Sequence, residues 1–235
     1  YQVSAFSQES AEQLEKVFNN KATGFAYTRI SNPTVSSFES RVASIENGIG
    51  AIACSSGMAA VTMSLLNILE AGDEIIAGSG LFGGTIDLFS DLKAFGITTK
   101  FVEHISAESI EPLINNKTKA VFTELIGNPK LDIVDIKEVS EIVHKYNIPL
   151  IIDSTTATSY LIRPIGKFAY LAKLRNGIWR NVGCCLSPFN AFLNSVGLET
   201  LGLRMERICD NALKLAKYLS TADGVEVNYP ALESS

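Results

Sequence analysis

A chain of 235 residues with 46% apolar and 19% charged side chains can build a sizeable core, which excludes a disordered protein and fits one large α/β domain or one domain with part of another. Its net charge of −5, with Lys and Arg scattered, excludes nucleic acid as the main partner, because neutralising phosphates needs a basic face. There is no apolar run of the ~20 residues a membrane helix needs, no leader-like opening and no CxxC among four cysteines, and two histidines are too few for a metal site or a His-based triad. These absences point to a reduced, cytoplasmic protein without membrane partners.

Residues 10–20 alternate at helical spacing and predict a short amphipathic helix. Residues 21–33 form a polar loop dense in turn formers. A helix over 34–46 places Val35, Phe38, Val42 and Ile45 on one face and stops at Asn47-Gly48. The small apolar residues 50–54 predict a short strand. Ser55-Ser56-Gly57 is a turn, and 58–69 a helix with Met58, Val61, Leu65 and Leu69 on one side. Strands are then expected at 73–77, 99–102, 119–125 and 149–152, alternating with helices at 85–95, 106–115 and 135–146. That alternation implies βαβ crossovers and a mostly parallel sheet with helices on both faces. Ala120-Val121-Phe122 and Leu150-Ile151-Ile152 are apolar on both sides, as buried parallel strands are. Beyond Gly166 the expected elements are helices at 168–180, 188–196 and 198–219, the last turning Leu201, Met205, Ile208, Leu215 and Leu219 inward, and a strand at 224–227.

In open α/β sheets ligands sit off the carboxyl ends of the strands, and four groups of residues fall there. Ser56-Gly57-Met58 is a strand-to-helix turn whose free N–H groups can face an anion, with no side chain on Gly57 to keep it away. Leu81-Phe82-Gly83-Gly84-Thr85 offers an aromatic ring beside two glycines, and Gly127-Asn128-Pro129 an amide. Asp153, ahead of Ser154-Thr155-Thr156, is a carboxylate at the end of an apolar strand. Taken singly each has a plain reading: a tight turn, a core phenylalanine, a second turn, a cap. Jointly a phosphate cradle, a flat ring and a carboxylate suit pyridoxal phosphate (PLP), whose pyridine nitrogen needs an anion to stay protonated as an electron sink.

These segments, together with Tyr27-Thr28-Arg29-Ile30-Ser31-Asn32-Pro33-Thr34 and Ser55-Ser56-Gly57-Met58-Ala59-Ala60, resemble in order the Cys/Met-metabolism family of PLP enzymes of fold type I. Phe82-Gly83-Gly84-Thr85 and Ser187-Pro188-Phe189-Asn190-Ala191-Phe192-Leu193 look most like its O-acetylhomoserine sulfhydrylase branch. The resemblance implies the large domain of an aspartate aminotransferase-like PLP-dependent transferase over 34–219. An inter-subunit arm over 1–33 would precede it, and the start of a small C-terminal domain over 220–235 would follow. It implies that Ser56, Gly57 and Met58 hold the phosphate, Phe82 stacks on the ring where most of the family has Tyr, and Asn128 meets the ring oxygen. Asp153 would meet the ring nitrogen with Thr155 beside it. Tyr27 and Arg29 would reach a neighbour's phosphate in a homodimer or homotetramer with shared sites. The implied reaction is γ-replacement, in which O-acetylhomoserine and sulfide give homocysteine and acetate. Methionine γ-lyase or a cystathionine γ-synthase or lyase is the alternative within the family, and a catalytically dead phosphate-ligand binder the alternative outside catalysis.

Besides Phe82, the chain departs from the family after Asp153. The cofactor lysine of the family lies in a Ser-x-Thr-Lys motif after the strand that follows Asp153, and this sequence has no such motif. Arg163-Pro164-Ile165-Gly166-Lys167 leads directly to the helix at Phe168. The expectation is a further strand and lysine loop between Ile165 and Phe168.

Overall fold

The computed structural model describes residues 1–161 and 168–232. In chain order the elements are α1 (Ala11–Phe18), α2 (Pro33–Ile45), α3 (Gly57–Leu66), β1 (Glu74–Gly78), α4 (Gly83–Asp91), β2 (Thr98–Val102), α5 (Ala107–Ile110) and β3 (Thr118–Glu124). They continue with α6 (Ile136–Lys145), β4 (Leu150–Asp153), α7 (Thr158–Leu161), α8 (Phe168–Asn176), α9 (Ile178–Val182), α10 (Pro188–Leu198) and α11 (Leu201–Leu219). They group into two compact units, Tyr1–Ile68 with Arg163–Leu198, and Leu69–Ile162 with Glu199–Ser235.

The second unit carries the sheet, four parallel strands in the order β2-β1-β3-β4. Register pairs Ile76 with Val121, and Ala77 with both Phe101 and Phe122, so side chains alternate between two faces. On one face Ile76 and Val121 pack with Ile110 of α5 and Val139 and Val143 of α6. On the other, Phe89 of α4 meets Phe122 edge-on at 5.1 Å and Phe101 at 6.2 Å. Helices therefore cover both faces of this α/β sheet, and each fully buried core side chain contributes about 1.5–3 kcal/mol. Gly96, in the left-handed conformation at φ 78°, closes the single 3₁₀ turn that follows α4.

In the first unit, Asn32 caps α2 by accepting from the Thr34 N–H at 2.9 Å, and Pro33 starts the helix. Met63, Leu174 and Trp179 form one buried cluster, with Ile52, Cys54, Cys184 and Cys185 packed against it. Val35, Ala53, Leu186 and Ala191 form a second. Residues 1–33 are tied to one another by an Ala5–Tyr27 antiparallel bridge and a Phe6 N–H to Ala26 carbonyl bond of 3.0 Å.

Several expectations change. The 50–54 strand reduces to a single bridge, Cys54 opposite Cys185, flanked by bonds from Ser55 N–H to Cys184 O and from Leu186 N–H to Ala53 O. The partner segment offers only Cys184 to Leu186 before Pro188 begins α10, too little for a ladder. The 168–180 helix divides at Gly177, whose backbone (φ −104°, ψ −119°) leaves the helical region. The 106–115 helix shortens to α5 and a 3₁₀ turn at Pro112, which has no N–H to continue the pattern. Residues 224–227 form no strand. On α11 only Ala216 is buried, Leu201 and Met205 are half-buried, and Ile208, Leu215 and Leu219, expected inward, are exposed. The place expected for the lysine loop, 165–168, falls mostly outside the described residues.

Candidate active site

The turn at Ser55-Ser56-Gly57 leads into α3. Ser56 has extended backbone (φ −156°, ψ 164°) and caps α3 by accepting from Ala59 N–H at 3.1 Å, while its carbonyl accepts from Ala60 N–H. The N–H groups of Gly57 and Met58 are left without partners among the described residues, and a Cβ at Gly57 would stand in open space. An exposed pair of helix-start donors with nothing above them fits a phosphate. The approach to this turn is held by Glu39 of α2, 5% exposed, which accepts from Ala53 N–H at 2.9 Å and pairs with Arg175 at 2.6 Å. Arg175 also donates to Ala51 O at 3.2 Å and lies over the Trp179 ring at 5.3 Å. Beside the turn, burial pushes the Cys54 thiol up to about 11, so it stays protonated and is no nucleophile near neutral pH.

Arg29 lies over the ring of Tyr27 at 5.4 Å and donates through Nη1 to the Arg180 carbonyl of its own chain. The rest of its guanidinium fork is without a partner among the described residues, and Tyr27 is exposed.

The other named residues belong to the second unit, at the carboxyl ends of β1, β3 and β4. Phe82 is 51% exposed and precedes α4, so it is not the core residue its plain reading suggests. Asn128 is exposed in a tight loop closed by Gly127 N–H to Asp132 O at 2.9 Å. Asp153 ends β4. Its Oδ1 accepts from the Thr155 N–H at 2.9 Å and from the Thr155 hydroxyl, which orients the carboxylate, and Oδ2 is left without a partner among the described residues. An oriented carboxylate with one free oxygen suits a protonated ring nitrogen.

Glu124 was not singled out from the sequence, although the signal was there: it ends the apolar run of β3 as Asp153 ends β4. The two are register partners and so point to the same face, the α4 face. Glu124 is 7% exposed and accepts the Phe82 N–H at 2.6 Å. Burial holds its carboxyl above the usual range, against the Phe82 N–H, and the nearby Asp153 charge pushes the same way as burial. Glu39 and Arg175 were missed as well, because an acid and a base 136 residues apart carry no spacing signal.

Each unit by itself has groups of the kind that PLP needs: in the first, open helix-start donors suited to a phosphate, and in the second, an oriented carboxylate suited to a protonated ring nitrogen and an exposed aromatic ring. The family's lysine motif is not among the 235 residues. No described helix is long and apolar enough to cross a membrane.

The sequence profile described as Cys/Met metabolism PLP-dependent enzyme matches residues 1–171 and, in a second piece, 168–235. The O-acetyl-L-homoserine sulfhydrylase of Corynebacterium glutamicum is 35% identical over 300 alignment positions, covering 100% of this chain and 69% of the relative. The L-methionine gamma-lyase of Treponema denticola is 34% identical over 266 positions, with 100% and 66% covered. Among solved structures, one from Campylobacter jejuni, described as an O-acetylhomoserine (thiol)-lyase holding N'-pyridoxyl-lysine-5'-monophosphate, superposes with a TM-score of 0.95 at 29% identity, covering 100% of this chain and 73% of that one. With a matching profile over both halves, and relatives matched along its whole length, the chain belongs to the Cys/Met metabolism family of PLP-dependent enzymes.

Proposed function

We propose that the protein is a PLP-dependent O-acetylhomoserine sulfhydrylase of the cytoplasm, joining O-acetylhomoserine and sulfide to give homocysteine and acetate. The observation that carries the site is the Asp153 carboxylate at the carboxyl end of β4, its Oδ1 held by Thr155 and its Oδ2 without a partner among the described residues. The choice of reaction rests on the similarity to the C. glutamicum sulfhydrylase.

When bound, PLP supplies an electron sink for the charge that builds on the substrate α-carbon. Asp153 keeps the proton on the ring nitrogen. Gly57 and Met58 N–H groups and Ser56 anchor the phosphate, Phe82 covers one ring face, and Asn128 donates its amide to the ring oxygen. Tyr27 and Arg29 serve the phosphate of a second subunit in a homodimer or homotetramer. The argument for this is electrostatic: the cradle turn contains no Lys or Arg, a phosphate dianion favours a cation, and an Arg fork with free donors suits it.

The reading also requires the family's lysine, on a further strand and loop between Ile165 and Phe168. Its support is the profile's division into two pieces that meet at 168–171, and an alignment of 300 positions for 235 residues. The 34% identity to a methionine gamma-lyase favours one second reading, elimination from methionine. The purified protein, given PLP, O-acetylhomoserine and sulfide, is expected to form homocysteine and acetate in equal amounts. Formation of 2-oxobutyrate from methionine at a higher kcat/KM would select the lyase, and neither product with PLP bound would overturn both.

A further inference from the structure

The register that sets Cys54 opposite Cys185 would carry a longer antiparallel ladder through Ala53 and Leu186 to Ala51 and Pro188. The ladder does not get that far. Ser55 N–H reaches Cys184 O at 2.8 Å and Leu186 N–H reaches Ala53 O at 3.4 Å. Pro188, the residue that would face Ala51, has no N–H to give and starts α10. Ala51 O and Ala53 N–H, which belong to the same edge of an extended segment, go instead to two side chains. Arg175 of α8 donates to Ala51 O at 3.2 Å, and Oε1 of Glu39 of α2 accepts from Ala53 N–H at 2.9 Å. Oε2 of the same carboxylate pairs with Arg175 at 2.6 Å.

We infer that Glu39 and Arg175 are positioning residues: as a joined pair they stand in for the missing ladder partner of residues 51–53 and so fix the segment that delivers the Gly57 and Met58 N–H groups to a phosphate.

Three features fit together. A buried ion pair is a poor means of stabilisation, because well-packed apolar residues of similar volume serve as well or better. What an apolar pair cannot offer is one donor and one acceptor at the spacing of a strand edge, and these two side chains give both. Arg175 is also held from outside the pair, lying over the ring of the buried Trp179 at 5.3 Å. Finally, a single bridge is marginal by itself, so without the pair 51–53 and 184–186 part together. Ser56, just beyond, then loses the fixed approach from which it caps α3.

The reach to the phosphate rests on the PLP reading above, whereas the brace itself can be measured without PLP. Amide hydrogen exchange of the PLP-free protein is compared for wild type, Glu39→Gln, and Glu39→Leu combined with Arg175→Met. The apolar pair should keep the fold but offers the backbone neither donor nor acceptor. Its exchange over 51–57 is expected to be about tenfold faster than in wild type, with no change over 119–122 in the second unit. Glu39→Gln keeps an acceptor for Ala53 and gives up the charge that holds Arg175, so it should show a smaller increase, and it carries the test if the apolar pair fails to fold. Wild-type exchange over 51–57 in the variants that fold, or faster exchange throughout the chain, would overturn the brace. The second test compares the affinities of PLP and of pyridoxal, which lacks the phosphate, by equilibrium dialysis. In the same variants PLP is expected to lose affinity, by about tenfold for the apolar pair, while pyridoxal binds as to wild type. Equal losses for both ligands, the mark of a merely structural role, or no loss for either, would overturn the positioning of the phosphate site. A wild type that binds no PLP would end the cofactor reading and leave the exchange result to decide the brace.

Discussion

Replacing Glu39 with Ala removes two interactions that hold the approach to the phosphate cradle. The first is the 2.6 Å pair with Arg175. Breaking a buried ion pair by deleting one member costs about 3–5 kcal/mol when the remaining charge is fully buried. Here the Arg175 side chain is 27% exposed, keeps its bond to Ala51 O and keeps its place over Trp179, so the lower end applies. The second is the Ala53 N–H, on a buried residue, which loses its acceptor, the only one among the described residues, at a cost of roughly 1–3 kcal/mol. The two losses share one carboxylate and are not additive, so the expected destabilisation is about 3–4 kcal/mol. Glu39→Gln keeps an acceptor for Ala53 and gives up only the charge, for about 1–2 kcal/mol. Trp179, the single tryptophan, is 1% exposed and stacked by Arg175, so urea unfolding followed by its fluorescence reports on the unit that contains the cradle. A shift below about 0.5 kcal/mol for Glu39→Ala, the range of an ordinary surface change, would refute the reasoning.

Asp153→Ala is expected to reduce sulfhydrylase turnover by several orders of magnitude while leaving the unfolding transition near that of wild type, since among the described residues the side chain bonds only to Thr155; near wild-type kcat would reduce Asp153 to a turn residue. Mixed dimers of Arg29→Ala and Asp153→Ala chains hold one site with both residues intact if the fork reaches across, so activity should return above either parent, and proven subunit exchange without recovery would place Arg29 in its own chain's site. Because burial raises the Glu124 carboxyl, its contribution to stability is fully present below the ordinary value of 4.5 and is lost as pH rises through the raised folded value. Thermal melts should therefore show Glu124→Gln gaining on wild type as pH rises from 4 to 7, and a pH-independent difference would contradict this.

The alternation of strands and helices from Asp73 to Asp153 was legible because each strand is a short apolar run and each helix has its own start and stop residues, such as Asp135 and Gly96. The capped turn into α3 was legible too, since Ser-Ser-Gly before an apolar helix is a local signal. What the sequence could not carry depends on partners far along the chain. Residues 50–54 look like a strand, but a ladder needs a neighbour, and Cys184 to Leu186 supply one bridge. The apolar stripe of α11 has helical period, yet period says nothing of what covers it. Gly177 reads as a tolerable helix residue and instead divides α8 from α9. Glu39 and Glu124 are acids in apolar surroundings, and only their acceptance of backbone N–H groups from distant residues shows why they are there.

The most direct test of the account is a crystal structure of the protein grown with PLP. The expected density places the phosphate within hydrogen-bond distance of the Gly57 and Met58 N–H groups, the ring against Phe82, and the ring nitrogen on Oδ2 of Asp153. PLP bound elsewhere, or with its ring nitrogen away from Asp153, would contradict the site on which the proposed reaction depends.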